Sequence, residues 1–429
     1  MKITVLTNFY EWKALCERPV FDQSQLEEKV QGIIESVRQK GDEALNNYSL
    51  AFDGLRIENF LVTKEEIEFA VSKVNQELKD AIQLAKLNIE KFHASQLEES
   101  KVIETSIGVK CWRKSVGIEK VGLYIPGGTA PLFSTILMLG IPAQIADCKE
   151  VILCSPPQKD GRLNPAILYA ANLVGITKIY KIGGAQAIAA MAFGTAQVPQ
   201  VYKIFGPGNQ YVTKAKELIQ REGVAIDMPA GPSEVLIVAD ASCNPSFVAA
   251  DLLSQAEHGA DSQVILLSDS LNIIQEVMKE LEQQLEQLPR KEIAEKALKN
   301  SRAIQLDSIE ECISFSNNYA PEHLIIASEN ADKYVDSIVN AGSVFLGNYS
   351  CESAGDYASG TNHTLPTNGY AKNYSGVSVE SFVRKITFQS LSKKGIQNIG
   401  PAIELMAEAE ALFAHKNAVT LRLKSIQND

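Results

Sequence analysis

The stretch Val121-Gly-Leu-Tyr-Ile-Pro-Gly-Gly128 joins a short apolar run to a glycine turn, which is typical of a buried strand and the turn after it. Four similar apolar runs follow, and a helical pattern lies between successive runs. Short apolar strands that alternate with helices predict a parallel α/β sheet covered on both faces. The five predicted strands are Val121 to Ile125, Val151 to Cys154, Ile179 to Ile182, Tyr202 to Phe205 and Val235 to Val238.

Several of these strands end in glycine-bearing turns. In an open parallel sheet, ligands bind beside the carboxyl ends of the strands, where these turns lie. Their free amides and the helix starts after them could hold nucleotide phosphates. The run Gly206-Pro-Gly-Asn-Gln-Tyr211 is not the GxGxxG fingerprint, however, and similar turns occur in sheets that bind nothing, so both interpretations stay open. The turns are Pro126 to Thr129, Gly183 to Gln186 and Gly206 to Asn209.

Composition limits the class of protein. A chain of 429 residues is too long for one ordinary hydrophobic core and predicts two or three domains. A net charge of -11 argues against a nucleic-acid partner, because binding a phosphate backbone requires a basic face. Seven cysteines without CxxC spacing predict reduced thiols and a cytoplasmic location. The most apolar stretch, Ala130 to Ala146, includes Ser134, Pro142 and Gln144, so no membrane span is expected.

The region before the first α/β segment has two patterns. Residues 25 to 93 space charges against apolar positions, which predicts helices, and Thr63-Lys-Glu-Glu66 has the spacing of a capping box. His93 lies on this helical region and is interpreted as an ordinary surface or partly buried histidine. The alternation from Val102 to Val116 predicts a hairpin.

A second α/β region follows, with a predicted helix from Pro245 to about Glu257. After Ser378 the spacing of apolar residues predicts helix, and the run from Val419 to Leu423 predicts a last strand. This tail interleaves charged and apolar positions, as expected of an arm that lies on another surface. The strands of the second region are predicted at Gln263 to Leu267, Ala303 to Leu306, Leu324 to Ala327 and Ser343 to Leu346.

The segment from Cys351 to His363 is the richest in side chains that can carry chemistry. It offers the carboxylate of Asp356 and the imidazole of His363, and its residues Gly355 and Gly360 predict a loop. The chain has only five histidines, and four of them fall in its C-terminal half. We therefore expect a metal or proton-transfer site assembled from distant segments.

Gln255 and His258 are three residues apart on a predicted helix that ends at Gly259, so they share a face in its last turn. One interpretation is a histidine that stabilises the helix C-terminus. The other is a pair of metal ligands, which Asp356 and His415 would complete. Two nitrogen and two oxygen donors suit zinc better than iron–sulfur or calcium, although manganese or cobalt could also bind.

Glu322 and His323 follow Pro321 directly. Adjacent side chains on a strand point to opposite faces, so a joint role requires the segment to begin in a turn. A carboxylate beside an imidazole suits proton transfer near neutral pH, whereas the alternative is a solvated glutamate and a packed histidine. Cys351 is a weaker candidate for a nucleophile, because no basic residue stands beside it in the sequence to activate its thiol.

Taken together, these segments resemble the histidinol dehydrogenase family. The resemblance covers nearly the whole chain, and its ordered set of motifs is specific. The matching motifs are Val121 to Gly128, Ile226 to Val235, Leu253 to Gly259, Ala320 to His323, Gly355 to Tyr357, Asn362 to Pro366, Ala407 to Glu410 and His415. The clearest departure is Ala411, where the family usually has glycine.

The resemblance implies a role for each matching residue. It implies zinc-dependent, NAD-linked four-electron oxidation of L-histidinol to L-histidine through histidinaldehyde, with one Zn²⁺ per subunit. The implied zinc ligands are Gln255, His258, Asp356 and His415, and the implied catalytic pair is Glu322 and His323. The implied substrate-binding residues are Ser233, Gln255, His258, His323, Asp356, His363, Glu410 and His415, and the implied NAD contacts are Tyr124, Gln186 and Asn209.

The resemblance also implies an α/β fold of two incomplete Rossmann-like domains, one inserted in the other, with a helical N-terminal region and a C-terminal arm. The expected parts are an N-terminal segment (1–20), a discontinuous first domain with the metal and catalytic residues (21–122 and 234–378), an inserted NAD-contacting domain (123–233) and the arm (379–429). The implied assembly is a homodimer whose arms cross, so that Glu410 and His415 serve the partner's site.

Three alternatives remain at this point. A relative of the same fold could oxidise another small polar alcohol, although the match of Ser233, His363 and Glu410 to the substrate set argues against it. A zinc hydrolase could use Glu322 to activate water for attack on an amide or ester, and the glycine turns would then be idle. A non-catalytic binding protein is disfavoured by the intact set of ionisable residues.

Overall fold

The computed structural model describes residues 1–5, 12–18, 24–127, 131–229 and 231–427, and of Ser24 the backbone alone. Gly128 and Thr129 of the first predicted glycine turn, and parts of the predicted N-terminal segment 1–20, lie outside the described residues. All nine strands predicted in the two α/β regions are confirmed within one or two residues of their expected ends.

Strands and helices alternate from Lys120 to Leu346. The strands are β1 (Lys2–Val5), β2 (Ile103–Ser106), β3 (Val109–Gly117), β4 (Lys120–Tyr124), β5 (Glu150–Ser155), β6 (Lys178–Lys181), β7 (Lys203–Phe205), β8 (Ala225–Ile226), β9 (Glu234–Ala239), β10 (Gln263–Ser268), β11 (Arg302–Gln305), β12 (His323–Ala327), β13 (Ser343–Leu346) and β14 (Val383–Leu391). The α-helices are α1 (Trp12–Leu15), α2 (Ser24–Lys40), α3 (Asp42–Asp53), α4 (Lys64–Lys73), α5 (Gln76–Ala94), α6 (Phe133–Ile145), α7 (Pro165–Leu173), α8 (Gly184–Phe193), α9 (Gln210–Gln220), α10 (Pro245–Ala256), α11 (Leu271–Leu285), α12 (Lys291–Lys299), α13 (Ile309–Tyr319), α14 (Glu352–Tyr357), α15 (Lys393–Ala409) and α16 (Phe413–Gln427). Short 3₁₀ helices span Ala331–Ser337, Tyr370–Lys372 and Val379–Phe382.

Two parallel sheets form the frame of the fold. One has five strands in the order β6-β5-β4-β7-β8, and the other has six in the order β1-β11-β10-β9-β12-β13. Buried apolar residues form clusters on both faces of each sheet, as expected when crossover helices cover a parallel sheet. The mixed α/β fold with parallel sheets is therefore confirmed, while the domain limits stay a prediction.

The strand order reverses once in each sheet. The five-stranded sheet turns back between β4 and β7, and the six-stranded sheet turns back between β9 and β12. Such a reversal opens a crevice between the connections that leave in opposite directions. The crevice beside β4 and β7 lies at their carboxyl ends, where the predicted glycine turns follow.

The helical N-terminal region packs on the five-stranded sheet. Helix α2 lies against α8 and α9, and α4 and α5 lie against α7 and α6. The predicted capping box is present at the start of α4, where Glu66 N–H donates to Thr63 Oγ1 and Thr63 N–H donates to Glu66 Oε2. The predicted hairpin is also confirmed, since β2 and β3 pair antiparallel.

Two predictions for the tail are wrong. Residues Val383–Leu391 form strand β14 instead of helix, because all nine pair with β3 and Phe388 stacks on Trp112. Val419 to Leu423 lies inside helix α16 instead of forming a strand. Val419 and Leu423, four residues apart, both pack over Gly400 of α15, so contact between the two helices outweighs the strand preference of this run.

The predicted loop between Cys351 and His363 is also partly wrong, since Glu352–Tyr357 forms helix α14. Gly355 has no positive φ; a Cβ there would lie 2.7 Å from the Phe345 ring. Its absent side chain therefore permits close packing of a helix and does not mark a turn. Among the described residues, no helix is both long and apolar enough to cross a membrane.

Candidate active site

Glu322 and His323 lie at the amino-terminal end of β12, and both are buried. The segment begins in a turn, as a joint role requires, because Ala320 ends α13 in the left-handed region with a φ of 56°. Glu322 precedes the strand and His323 opens it, so that His323 Nδ1 lies 3.7 Å from Glu322 Oε2. We refer to these two residues as the proton-transfer pair.

The hydrogen bonds of His323 fix which ring nitrogen carries the proton. Nδ1 lies 3.2 Å from the backbone carbonyl of Glu234, and a carbonyl only accepts, so Nδ1 donates. Nε2 then presents a lone pair; it is buried, has no hydrogen-bond partner in the described part of the chain, and lies 3.8 Å from Asp356 Oδ1. Burial lowers the pKa of His323 to about 3, so the ring is neutral at physiological pH and can accept a proton at Nε2.

The pKa of Glu322 is shifted in the opposite direction to that of His323. Its Oε2 accepts from the backbone N–H of Glu234 at 2.8 Å. Burial raises the pKa of Glu322 well above the usual range, while this hydrogen bond opposes the shift. A carboxyl group that can hold a proton near neutral pH beside a neutral imidazole is suited to acid–base chemistry.

His258, Glu352 and Asp356 meet beside this pair, and Gln255 lies three residues before His258, in the last turn of α10. We call these four residues the donor cluster. One ligand atom each from His258, Glu352 and Asp356 lies within 4.8 Å of the other two. Gln255 is fully buried, and neither its amide oxygen nor its nitrogen has a hydrogen-bond partner among the described residues. Unpaired buried polar groups cost free energy, so the cluster is suited to an external ligand.

Glu352 is the member that sequence reasoning missed. It is buried, and both of its carboxylate oxygens lack a hydrogen-bond partner in the residues that the structure describes. Glu352 and Asp356 are four residues apart on α14, so they share one helix face. Prediction of a loop over this segment concealed that spacing. The sequence contains the pattern Glu-x-x-x-Asp, which places two carboxylates on one face only when the segment is a helix.

Carboxylates dominate the electrostatics of the donor cluster. Burial raises the pKa of Asp356 to about 7. Burial, followed by repulsion from Asp356 and Glu322, raises the pKa of Glu352 well above its usual range. A bound cation would relieve this repulsion, and it would also stabilise the charged forms of both carboxylates.

The backbone places Gln255 and His258 differently from the prediction. Helix α10 ends at Ala256, so Gln255 lies in its last turn and His258 in the turn that follows. His258 N–H still donates to the Gln255 carbonyl at 3.2 Å, which keeps the two side chains close. Burial lowers the pKa of His258, and this favours the neutral imidazole that a metal ligand requires.

His363 joins the two sheets. Its Nδ1 donates to the backbone carbonyl of Asp356 at 2.9 Å, and Thr135 Oγ1 on α6 lies 3.0 Å from Nε2. The adjacent Asn362 donates to the carbonyl of Met138 on the same helix. These contacts bring the donor cluster of the six-stranded sheet against the helix that follows β4.

The structure does not bring every predicted site residue to this place. Ser233 is half-buried, next to Glu234 at the start of β9. Glu410 and His415 are exposed. Helices α15 and α16, which carry them, pack on each other, and α15 also packs on β2 and β14. Within this single chain, the described hydrogen bonds and ion pairs do not connect Glu410 or His415 to the donor cluster.

A cavity of about 1420 Å³ opens at the carboxyl edge of the five-stranded sheet. Tyr124, Gln186 and Asn209, which the resemblance names as NAD contacts, all line this cavity. Sequence reasoning assigned no binding role to the N-terminal helices and so missed the cavity residues that they supply. Those residues include Glu28, Lys29, Gly32 and Ile33 on α2, and Tyr48, Phe52 and Asp53 on α3.

Polar groups in the cavity are arranged for a ligand. Tyr124 Oη accepts from Gly184 N–H at 3.0 Å, which orders the first turn of α8. Asn209 caps α9 by accepting from Tyr211 N–H and Val212 N–H. Gln186 Oε1 is buried without a hydrogen-bond partner among the described residues. Two helix N-termini facing one cavity favour an anionic ligand, such as a dinucleotide.

Comparison with known proteins decides the family. The family model described as histidinol dehydrogenase matches residues 16–423. The histidinol dehydrogenase of Bacteroides thetaiotaomicron is 58% identical over 427 residues, covering 100% of both chains. The chain belongs to the histidinol dehydrogenase family.

Solved structures agree with this assignment. A crystal structure of histidinol dehydrogenase from Elizabethkingia anophelis superposes with a TM-score of 0.98 and 62% identity, covering 100% of this chain and 99% of that one. An acetylating aldehyde dehydrogenase from Geobacillus thermoglucosidasius superposes with a TM-score of 0.50 and 14% identity, covering 89% and 94% of the two chains, and shows likeness of fold alone. The predicted family, enzyme class and place in histidine biosynthesis are confirmed, and the chain is an oxidoreductase.

Proposed function

We propose that this histidinol dehydrogenase oxidises L-histidinol to L-histidine through histidinaldehyde, with zinc at the donor cluster and NAD in the large cavity. The observation that carries the proposal is the neutral His323, whose unpaired Nε2 lies beside a donor cluster that includes the buried, unpaired side chains of Gln255 and Glu352. A base and a metal-binding set are thus available to one substrate.

The donor cluster fits zinc on its own chemistry. His258 offers an imidazole nitrogen, Gln255 an unpaired amide oxygen and Asp356 a carboxylate oxygen, which are donors that zinc accepts. We assign these three as ligands and His415 of the partner subunit as the fourth. Bound zinc would supply a Lewis acid that holds the substrate's nitrogen atoms and fixes its reacting carbon.

The cavity fits NAD. Tyr124, Gln186 and Asn209 would hold it, with the starts of α8 and α9 facing its phosphates. Bound NAD would supply the hydride acceptor in each of the two oxidations. Pro131 lines the cavity and Thr135 contacts His363 four residues later, so the cavity approaches the donor cluster along α6.

The proton-transfer pair has a distinct task in each oxidation. In the first, His323 Nε2 accepts the proton of the substrate hydroxyl. That proton leaves His323 before the second oxidation begins. Glu322, in its ionised form, then accepts a proton from the water that adds to the aldehyde carbon, and His323 accepts the proton of the resulting hydrate. Both groups are buried, which keeps bulk water from competing for these protons.

We further propose a homodimer whose arms complete each other's sites. The helices α15 and α16 expose several large apolar side chains, as expected of a surface covered by a partner. These residues are Leu405, Met406, Leu412, Phe413 and Leu421. Glu410 and His415 lie on the same exposed segment, so an arm that covers a partner can deliver both. The seven unpaired cysteines support a cytoplasmic location.

The test is NADH formation by purified protein from NAD and L-histidinol, before and after chelation and zinc addition. We expect two NADH per histidinol, loss of activity with the metal and recovery with zinc. No NADH from zinc-loaded protein would refute the substrate assignment, and hydrolysis of amides or esters in its place would favour the hydrolase alternative.

A further inference from the structure

The backbone of one residue, Glu234, holds both members of the proton-transfer pair. Its N–H donates to Glu322 Oε2 at 2.8 Å, and its carbonyl accepts from His323 Nδ1 at 3.2 Å. The first contact orients the carboxylate, and the second fixes the tautomer that leaves Nε2 as the base. A shift of this backbone would therefore displace both catalytic groups together.

The side chain of Glu234 is anchored independently of the donor cluster. It is 2% exposed, and Arg18 grips it with two nitrogens: Nε contacts Oε1, and Nη2 donates to Oε2 at 2.9 Å. Oε1 also accepts from Asn368 N–H at 3.0 Å. A buried carboxylate requires such partners, because an unpaired charge in the interior is strongly unfavourable.

Arg18 also holds the turn that leads into the pair. Its Nη2 donates to the Tyr319 carbonyl at 2.9 Å and lies 3.4 Å from the carbonyl of Ala320. Its guanidinium lies 3.9 Å from the centre of the Tyr319 ring. Ala320 has the left-handed φ of 56°, which costs free energy for a residue with a Cβ and must be held by its surroundings.

We propose that Arg18 and Glu234 are positioning residues for the proton-transfer pair, an inference that rests on the proposed function. One guanidinium fixes the side chain whose backbone binds Glu322 and His323, and it also fixes the turn from which the pair emerges. Neither Arg18 nor the Glu234 carboxylate is needed to touch substrate, zinc or NAD. Arg18, which follows α1, thereby contributes to catalysis from outside both parallel sheets.

The arrangement requires arginine specifically. The planar guanidinium donates in parallel to both carboxylate oxygens and stacks on an aromatic ring, whereas an ammonium group can do neither in the same way. Arg18→Lys keeps the positive charge but removes the planar group that donates to both carboxylate oxygens and stacks on the Tyr319 ring. We expect it to lower kcat about 10- to 100-fold, since small displacements of catalytic groups have effects of that size. The KM for histidinol and the zinc content should stay near wild-type values, because the donor cluster is not moved.

Arg302→Met is the matched control. Arg302 Nη1 donates to the Ala14 carbonyl at 2.8 Å, so it ties the same N-terminal segment to the six-stranded sheet without a recorded contact to Glu234. We expect this variant to lose some thermal stability and to keep kcat. Equal losses of kcat in both variants would reduce the role of Arg18 to general docking of the segment and would overturn the proposal.

A measurement that does not require catalysis makes the test of Arg18 and Glu234 independent of the proposed function. With only five histidines, ¹⁵N-histidine labelling can resolve the Nδ1–H resonance of His323. We expect Arg18→Lys and Glu234→Gln to shift it or broaden it by exchange, and Arg302→Met to leave it unchanged. An unchanged resonance and an unchanged kcat in Arg18→Lys would overturn the proposal. A wild-type protein that makes no NADH from histidinol would refute the proposed function, whatever the resonance does.

Discussion

The donor cluster and the arm helices contribute predicted site residues in opposite ways. Gln255, His258 and Asp356 come from one chain and lie beside a buried base, and the buried amide of Gln255 has no hydrogen-bond partner among the described residues. Glu410 and His415 lie exposed on helices that pack mainly on each other and on β2 and β14. The first set is poised for a ligand within one subunit, whereas the second set needs another surface to acquire a role.

This difference separates two kinds of evidence for a site. Burial without hydrogen-bond partners is itself a sign of a missing ligand, because such groups are costly in a folded protein. Exposure gives no such sign, so the roles of Glu410 and His415 rest on the sequence resemblance and on the apolar residues around them. Variants that affect one set and spare the other can test the division.

The largest expected effect is loss of a zinc ligand. His258→Ala and His415→Ala should each lower kcat/KM more than about 100-fold, since even residues behind a metal ligand cost 10- to 100-fold. The two should differ in the metal-free protein. His258→Ala changes a side chain that lies against the carboxylates of the donor cluster and should alter the thermal unfolding temperature, whereas His415→Ala should not.

Zinc content, steady-state kinetics and thermal unfolding measure these effects. Asn417→Ala is the control for the arm, because Asn417 is exposed on the same helix and belongs to no predicted site. Full activity in His415→Ala would show that His415 on the arm is not part of the active site.

The next effect concerns the proton-transfer pair. Glu322→Gln keeps the size of the side chain and its hydrogen bond from Glu234 N–H, but it removes the base that activates water. We expect oxidation of histidinaldehyde to fall about 100-fold and oxidation of histidinol to fall much less. Stopped-flow measurement of each half-reaction tests this, and equal losses in both would contradict the division of labour between Glu322 and His323.

Metal removal should reverse the pH dependence of stability at the donor cluster. Burial raises the pKa of Asp356 to about 7 without metal, whereas an unfolded aspartate titrates near pH 4 (about 3.9). Between these values the folded chain holds more protons here, so its contribution to the free energy of unfolding falls as pH rises and is constant above about pH 7. Zinc requires deprotonated ligands, so its stabilising effect grows over the same range.

Thermal unfolding of the metal-free and zinc-loaded forms from pH 5.5 to 8 checks this expectation. The difference between their unfolding temperatures should widen with pH. The metal-free Asp356→Asn variant is the control, and it should lack this part of the pH dependence. Parallel curves for the two wild-type forms would contradict the assignment of zinc to this cluster.

The smallest expected effect is on association of subunits. Phe413 is 63% exposed at the start of α16, and Phe413→Asp should weaken the dimer about tenfold, equivalent to about 1.4 kcal/mol. Leu50→Asp on α3 is the control, because Leu50 is 56% exposed on a helix far along the chain from the arm. Sedimentation at several concentrations measures both, and equal behaviour of the two variants would argue against the arm as an interface.

Sequence reasoning succeeded where a local pattern and the tertiary structure agree. Most strands of the two parallel sheets contain a run of buried apolar residues, and glycine turns follow several of them, so they could be located from the local pattern. It failed for β14 and for α16, where partners distant in sequence decide the conformation. Val383–Leu391 is a strand because β3 lies beside it, and Val419 to Leu423 is helical because α15 does.

The site shows the same limit. Motifs identified His258, Asp356 and the proton-transfer pair, since these residue types are rare or distinctive in this chain. Glu352 and the backbone of Glu234 could not be found that way, because one depends on a helical turn and the other on main-chain contacts. The cavity residues on α3 were missed because nothing local shows that this helix packs on α8 and lines the cavity.

Mixing of subunits tests the central claim most directly, namely that one chain builds the body of the site and its partner completes it. Glu322→Gln and His415→Ala subunits, each of which should form little histidine alone, are unfolded together, refolded and assayed for histidine formation from histidinol with zinc and NAD. Crossed arms place both substitutions in one site of a mixed dimer and leave the other intact, so about a quarter of wild-type activity should return. No recovered activity in a mixture shown to contain mixed dimers would contradict the claim.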